Sequence, residues 1–330
     1  MKLIVLAFVL ASSVGAGIFL AIRFQKPQLQ PVITPTTISP TPAAGLSGEK
    51  LTGNIFLPQS ITIPTSVISV KVEKYEIDET VIKNISGALG FSEQNLSSPL
   101  ILDSSQYYWS SKRNFLTISK TNKTLQFGTY VQSNPEEVRG TPPTLAAALA
   151  IAEKWLIPLA PFIPDIASAD SESSFYRIGG EHPEETSDVS LAQATKIDFY
   201  PKLDSSTIFG VNPKDPPLSV IVGPNNRVIS ANIYLGLKNI KAGDIVRTKS
   251  RQQLQEIILT EGKLVSAVEK DGDITPDATT NYSEINISNI KLGYTWQSSL
   301  SKVEPVLVLN GSATRKAGEP IDIIILVSAN

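Results

Sequence analysis

The chain has 330 residues, a formal net charge of −2, 18% charged and 42% hydrophobic residues, and no cysteine. Near-neutral charge offers no basic footprint for a nucleic acid, and the lack of cysteine excludes a disulfide framework and a lipid-bearing thiol. Some 280 residues beyond the first fifty are enough for two or three modest domains with real cores.

Residues 3–22 are mostly apolar and carry no charge. At about 1.5 Å per residue, a helix over this run covers roughly the 30 Å hydrocarbon core of a bilayer. The apolar part of a cleaved signal peptide is usually about 7–15 residues, so the length favours an uncleaved transmembrane anchor over a cleaved signal, the competing reading. Lys2 on one side and Arg23 and Lys26 on the other nearly balance the basic-residue rule. Residues 27–48 are uncharged, and Pro27, Pro31, Pro35, Pro40 and Pro42 alternate there with Thr34, Thr36, Thr37, Ser39 and Thr41. This composition cannot bury a core and makes an extended tether, reaching up to roughly 70 Å at about 3.1 Å per residue. The expected address is the cell membrane, with the C-terminal part outside the cytoplasm.

Beyond the tether, Val67, Ile68, Ser69, Val70, Lys71, Val72 and Glu73 alternate as a half-buried strand does. Asp78 is a good N-cap for a helix whose face carries Val81, Ile82, Ile85, Ala88 and Leu89, and Gly90 ends it in a left-handed conformation. Tyr107, Tyr108 and Trp109 come next, then a hairpin of 115–119 with 124–130. Thr144 caps a second helix over 145–156, stopped by Pro158, whose nearly all-round apolar surface predicts burial between layers. Residues 161–186 read as a long irregular stretch. Strands resume at 195–200, and a turn at Gly223, Pro224, Asn225 and Asn226 joins 218–222 to 228–235. Ser250 and Gln253 form a capping box for a third helix with Leu254, Ile257 and Ile258 in its stripe, closed by Gly262. The last run, 321–327, reads as a strand covered on both faces. The expectation is an α+β fold: an N-terminal transmembrane helix (1–24), a linker (25–50), and helix-on-antiparallel-sheet subdomains at 51–140, 141–245 and 246–330.

A capped helix succeeded by two antiparallel strands, as in 144–156 with 218–235 and in 250–262 with the strand segments beyond it, resembles the PepSY-type unit. Lys291-Leu292-Gly293-Tyr294, then Glu304-Pro305-Val306-Leu307-Val308-Leu309, then residues 324–329 are similar to the closing pattern of YycH/YycI-like regulators. The resemblance implies a single-span bacterial protein whose extracytoplasmic domain binds a sensor kinase. The Pro/Thr tether and the 161–186 stretch depart from that pattern.

Catalytic signatures are scarce. His182 is the only histidine, and no G-x-S-x-G elbow accompanies it. A zinc site with one histidine and no cysteine would need three carboxylates. Asp271, Gly272, Asp273 and Asp277 resemble part of a calcium loop, but Thr275 and Pro276 break the ligand spacing and no glutamate closes it. Asp165, Asp170 and Glu172 read as a solvated acidic loop, and Glu184 and Glu185 as surface. No phosphate-cradling or dinucleotide motif occurs. In a strand Tyr108 faces away from Tyr107 and Trp109, which makes this trio the one candidate binding surface, although a satellite core cluster is the favoured reading of these three residues. The sequence therefore predicts a non-enzymatic, membrane-anchored extracytoplasmic protein that binds or regulates another envelope protein, without metal or cofactor. A cell-envelope hydrolase with a dispersed site and a structural surface protein are the alternatives.

Overall fold

The computed structural model describes residues 51–73, 75–91, 100–103, 105–178, 183–269, 272–273, 281–297, 302–315 and 320–330, and its first helix begins where Asp78 predicts. The Asp78 carboxylate accepts the Val81 N–H at 2.8 Å, opening α1 (Glu79–Ala88). Gly90 lies just beyond at φ +80, and Phe91 N–H returns to Ser86 at 2.7 Å, the closure that a left-handed glycine permits. Ile82 and Ile85 are buried, while Ala88 is exposed.

In α2 (Leu145–Leu156), the Thr144 hydroxyl accepts the Ala147 N–H at 3.3 Å. The expectation of burial between layers is corrected: Ala148, Ala152 and Leu156 are buried, but Leu145, Ala146, Ala147 and Ala150 face outward. An exposed alanine methyl carries little apolar area, so an all-round apolar sequence here costs little at the surface. Both halves of the predicted capping box form at α3 (Arg251–Glu261), and Leu254 and Ile258 point into the core. Gly262 ends α3 with φ −64, so no left-handed turn is used there.

Nine strands make one antiparallel sheet. Their spatial order is β3 (Leu100–Asp103), β4 (Gln106–Ser110), β5 (Asn114–Ser119), β6 (Thr124–Thr129), β13 (Arg227–Tyr234), β12 (Leu218–Gly223), β9 (Ala194–Tyr200), β7 (Asp170–Arg177) and β8 (Glu184–Glu185). One face packs Leu116, Ile118, Leu125, Ile197, Leu218 and Val220 against Ile82 and Ile85 of α1 and the buried side of α2. Asn225 and Asn226 adopt φ 63 and 58 in the β12–β13 turn, the left-handed geometry that asparagine tolerates best after glycine.

The second sheet is built on the meander β17 (Asn281–Gln297), β18 (Lys302–Arg315) and β19 (Pro320–Ser328), extended by β15 (Lys263–Glu269) and β16 (Gly272–Asp273). On its other edge β17 takes two short parallel strands, β1 (Thr52–Phe56) and β11 (Ser206–Phe209), the latter paired with β10 (Lys202–Leu203). Leu254, Ile258, Val67 and Tyr294 share its core, and Ile324 and Leu326 on the opposite face of β19 pack in a small cluster with Tyr200 and Phe209. A ribbon of β2 (Ser66–Val72) and β14 (Ile240–Arg247) completes the fold, with the Tyr294 hydroxyl donating to the Ile68 carbonyl at 2.9 Å.

The α+β class of repeated helix-on-sheet units is thus corrected. The described residues form nineteen strands but three α-helices of 10, 12 and 11 residues, and the architecture is mostly β. Pairing across the chain is the reason: β6 joins β13, with Gln126 opposite Asn232, so strands that come after different helices merge into one sheet. Among the described residues no helix is long and apolar enough to cross a membrane, so they lend no support to a transmembrane or single-pass description. Residues 3–22 lie outside them.

Candidate functional site

Strand alternation splits the predicted aromatic trio. Tyr107 and Trp109 point into the core, stacked at 6.2 Å between ring centroids, and the Tyr107 hydroxyl accepts from Lys120 Nζ at 2.8 Å. Tyr108 lies half-buried on the opposite face, where its hydroxyl meets that of Tyr130 at 2.5 Å. Burial first, and then this hydrogen bond, pushes the Tyr108 hydroxyl up to about 12. Phe115 packs against both rings, at 6.4 and 5.5 Å. Of the three, only Tyr108 offers any surface, and its ring is engaged by Phe115.

His182, Asp271 and Asp277 lie outside the described residues, and Gly272 and Asp273 contribute backbone to β16. Glu184 and Glu185 are exposed in β8. Asp165 accepts the Ala167 N–H at 3.0 Å and holds a turn. Asp170 and Glu172 are not in a loop. They belong to β7, a strand inside the stretch that the sequence marked as irregular.

The sequence reading also missed a charged cluster on the outer face of the nine-stranded sheet. Lys196 and Asp198 are two apart in β9, hence on one face, and pair at 2.8 Å with side chains 19% and 13% exposed. Burial raises the Asp198 carboxyl despite the lysine, and Lys196 also lies 5.6 Å from the Tyr176 ring centre. Nearby Asp215 is raised by burial as well. Its Oδ2 accepts the Val211 N–H at 2.9 Å, and its carboxylate packs so closely on Gly210 that a Cβ there would overlap it. These carboxylates serve an ion pair and a turn. Alternation of charge and apolar residues in Lys196-Ile197-Asp198-Phe199 was the available signal.

A binding geometry of another kind lies along β7. One side of this strand pairs with β9 from Asp170 to Tyr176, but β8 covers the other side only at Tyr176 and Arg177. Thr186 N–H reaches the Phe175 carbonyl at 2.9 Å, and among the described residues no backbone group from that side bonds to 170–174. Beside this bare edge runs a groove of about 150 Å³ between β7 and α2, lined by Leu145, Ala146, Leu149, Ser171, Glu172, Ser173 and Ile197. Leu145 is 40% exposed there. The Thr195 hydroxyl donates to the Pro143 carbonyl at 2.7 Å and ties the start of α2 to β9, which fixes the groove's width.

The chain matches no protein-family model, no curated protein and no solved structure.

A second, shallower depression of about 490 Å³ is lined by Arg139, Arg177 and residues 190–193, with Val189 and Leu191 exposed beside it. Both features are open surfaces, and the hydroxyl–carboxylate contact beside the second, Ser190 Oγ donating to Asp188 Oδ1 at 2.6 Å, belongs to the short turn that the same carboxylate caps through the Ser190 N–H.

Proposed function

We propose that residues 51–330 form a non-catalytic binding domain that acts on another protein of the cell envelope. The observation that carries this reading is the edge of β7, left without a backbone partner over 170–174 among the described residues and lying beside an apolar groove, the arrangement by which sheets accept segments of other proteins. The apolar run 3–22 and the uncharged Pro/Thr stretch support attachment at the membrane with the domain outside the cytoplasm. A glycan hydrolase would place two carboxylates across a cleft. Asp198 is instead spent on Lys196 and Asp215 on its own turn.

Photo-crosslinking on intact cells tests the reading. A photoreactive residue at Ser171 should yield a discrete adduct, identified by mass spectrometry as an envelope protein, that Ala146→Arg in the groove abolishes. The same residue at exposed Gln255 on α3 should not yield it. Identical adducts from both positions, or none from Ser171, would count against the proposal.

A further inference from the structure

Resting on that reading, we infer that the partner supplies an extended segment that adds to β7 as a further strand, with a basic residue flanked by two apolar ones. An antiparallel strand directs its backbone groups alternately to its two sides. On β7 the side facing β9 is used, and among the described residues the other is open over 170–174. An incoming strand satisfies these groups, and its side chains must then alternate between the two faces of the sheet.

Residue chemistry sets what each face accepts. Ser171 and Ser173 point to the α2 side, where their small side chains leave room beneath Leu145 and Leu149. Residues opposite these serines are therefore apolar and of modest size. Glu172 points to the other face, where the Tyr200 hydroxyl approaches it. Lys196 is committed to Asp198 and Lys202 to Asp170 at 2.5 Å, and Glu172 forms no ion pair among the described residues. The residue opposite Glu172 is therefore Lys or Arg.

The same charges disfavour a second copy of the chain. Symmetric antiparallel pairing centred on Glu172 sets Glu172 against itself, and pairing centred on Ser171 sets it against Asp170. Like charges directly opposite destabilise a sheet pair. A centre further along the strand runs into β8.

The test uses the full chain in detergent and a fluorescein-labelled heptapeptide, Ser-Thr-Val-Lys-Val-Thr-Ser, in fluorescence polarisation. The peptide should bind, and replacing its central Lys by Glu should weaken binding by about tenfold, equivalent to about 1.4 kcal/mol. N-methylation at alternate backbone positions, which keeps every side chain but removes strand hydrogen bonding, should abolish it. Glu172→Gln should erase the preference for Lys over Glu in the peptide, and Glu172→Lys should reverse it. Equal binding of the N-methylated peptide, an unchanged preference in both variants, or no binding of any peptide would overturn the inference. So would a dimer, crosslinked through Ser173, that excludes the peptide. If peptides fail while the Ser171 adduct persists on cells, the strand-addition mode is wrong and the binding role stands. Loss of both removes both.

Discussion

Phe115 packs its ring against the bare backbone of Gly128, its partner on the adjacent strand. A Cβ at position 128 would overlap that ring, so the Tyr108–Phe115–Tyr130 cluster depends on the absence of a side chain there. Gly128→Ala should cost about 1–3 kcal/mol, the usual range for overpacking. The cost should shrink when Phe115→Ala is also present. Denaturant unfolding of the two single variants and the double variant measures this, and strict additivity would show that the two positions do not communicate.

Lys196 and Asp198 predict a different kind of non-additivity. Each is mostly buried, so removing one partner strands the charge of the other. Lys196→Met or Asp198→Asn alone should cost about 3–5 kcal/mol, and the double change much less than the sum. Equal and small losses in all three variants would mean that the pair is solvated after all.

Asp215 gives the fold a pH dependence with a definite sign. Its folded pKa lies above the ordinary carboxyl value of 3.8, with burial the leading cause. Between the unfolded and folded values the native state holds more protons than the unfolded one, so stability falls as pH rises through that window. Its contribution is fully present below about pH 3.8 and lost once pH exceeds the raised value. Asp215→Asn keeps an acceptor for the Val211 N–H and should flatten this slope. Thermal unfolding measured from pH 4 to 7 in both proteins checks it, and parallel curves would refute the assignment.

Leu156 and Ile157 are neighbours with opposite fates: one is fully buried at the end of α2 and the other is 66% exposed. Leu156→Ala should lose about 2–5 kcal/mol, while Ile157→Ala should stay within about 0.5 kcal/mol of the parent. Comparable losses would place α2 in a different rotation.

The parts of the fold that announced themselves in the sequence are those governed by contacts a few residues apart. Asp78, Thr144 and the Ser250–Gln253 pair sit within one turn of the N–H groups they cap, so spacing alone locates all three helix starts. The β12–β13 turn was equally legible from Gly223 to Asn226. Strand partners were not, because nothing local says that Gln126 will lie beside Asn232 or Val72 beside Ile240. β7 escaped for another reason: four of its first five residues are serine or aspartate (Asp170, Ser171, Ser173, Ser174). With polar side chains on both faces over 170–174, this strand has no apolar alternation to display there. The candidate site was therefore hidden by the polar side chains along its edge. The aromatic trio drew attention instead, but two of its members are core residues.

The parallel pairing of β1 with β17 constrains the order in which the molecule assembles. Thr52 is aligned with Asn281 and Phe56 with Asn286, so the first described strand has no sheet to join until the chain has been made through β17. Until then Leu51 and Leu57, both buried in the finished fold, lack the part of their packing that β17 and the strands after it supply. Closures over such separations slow folding to roughly the millisecond-to-second range. During synthesis this N-terminal segment must wait as an apolar loose end, and any chain cut short before β17 leaves it permanently unclaimed.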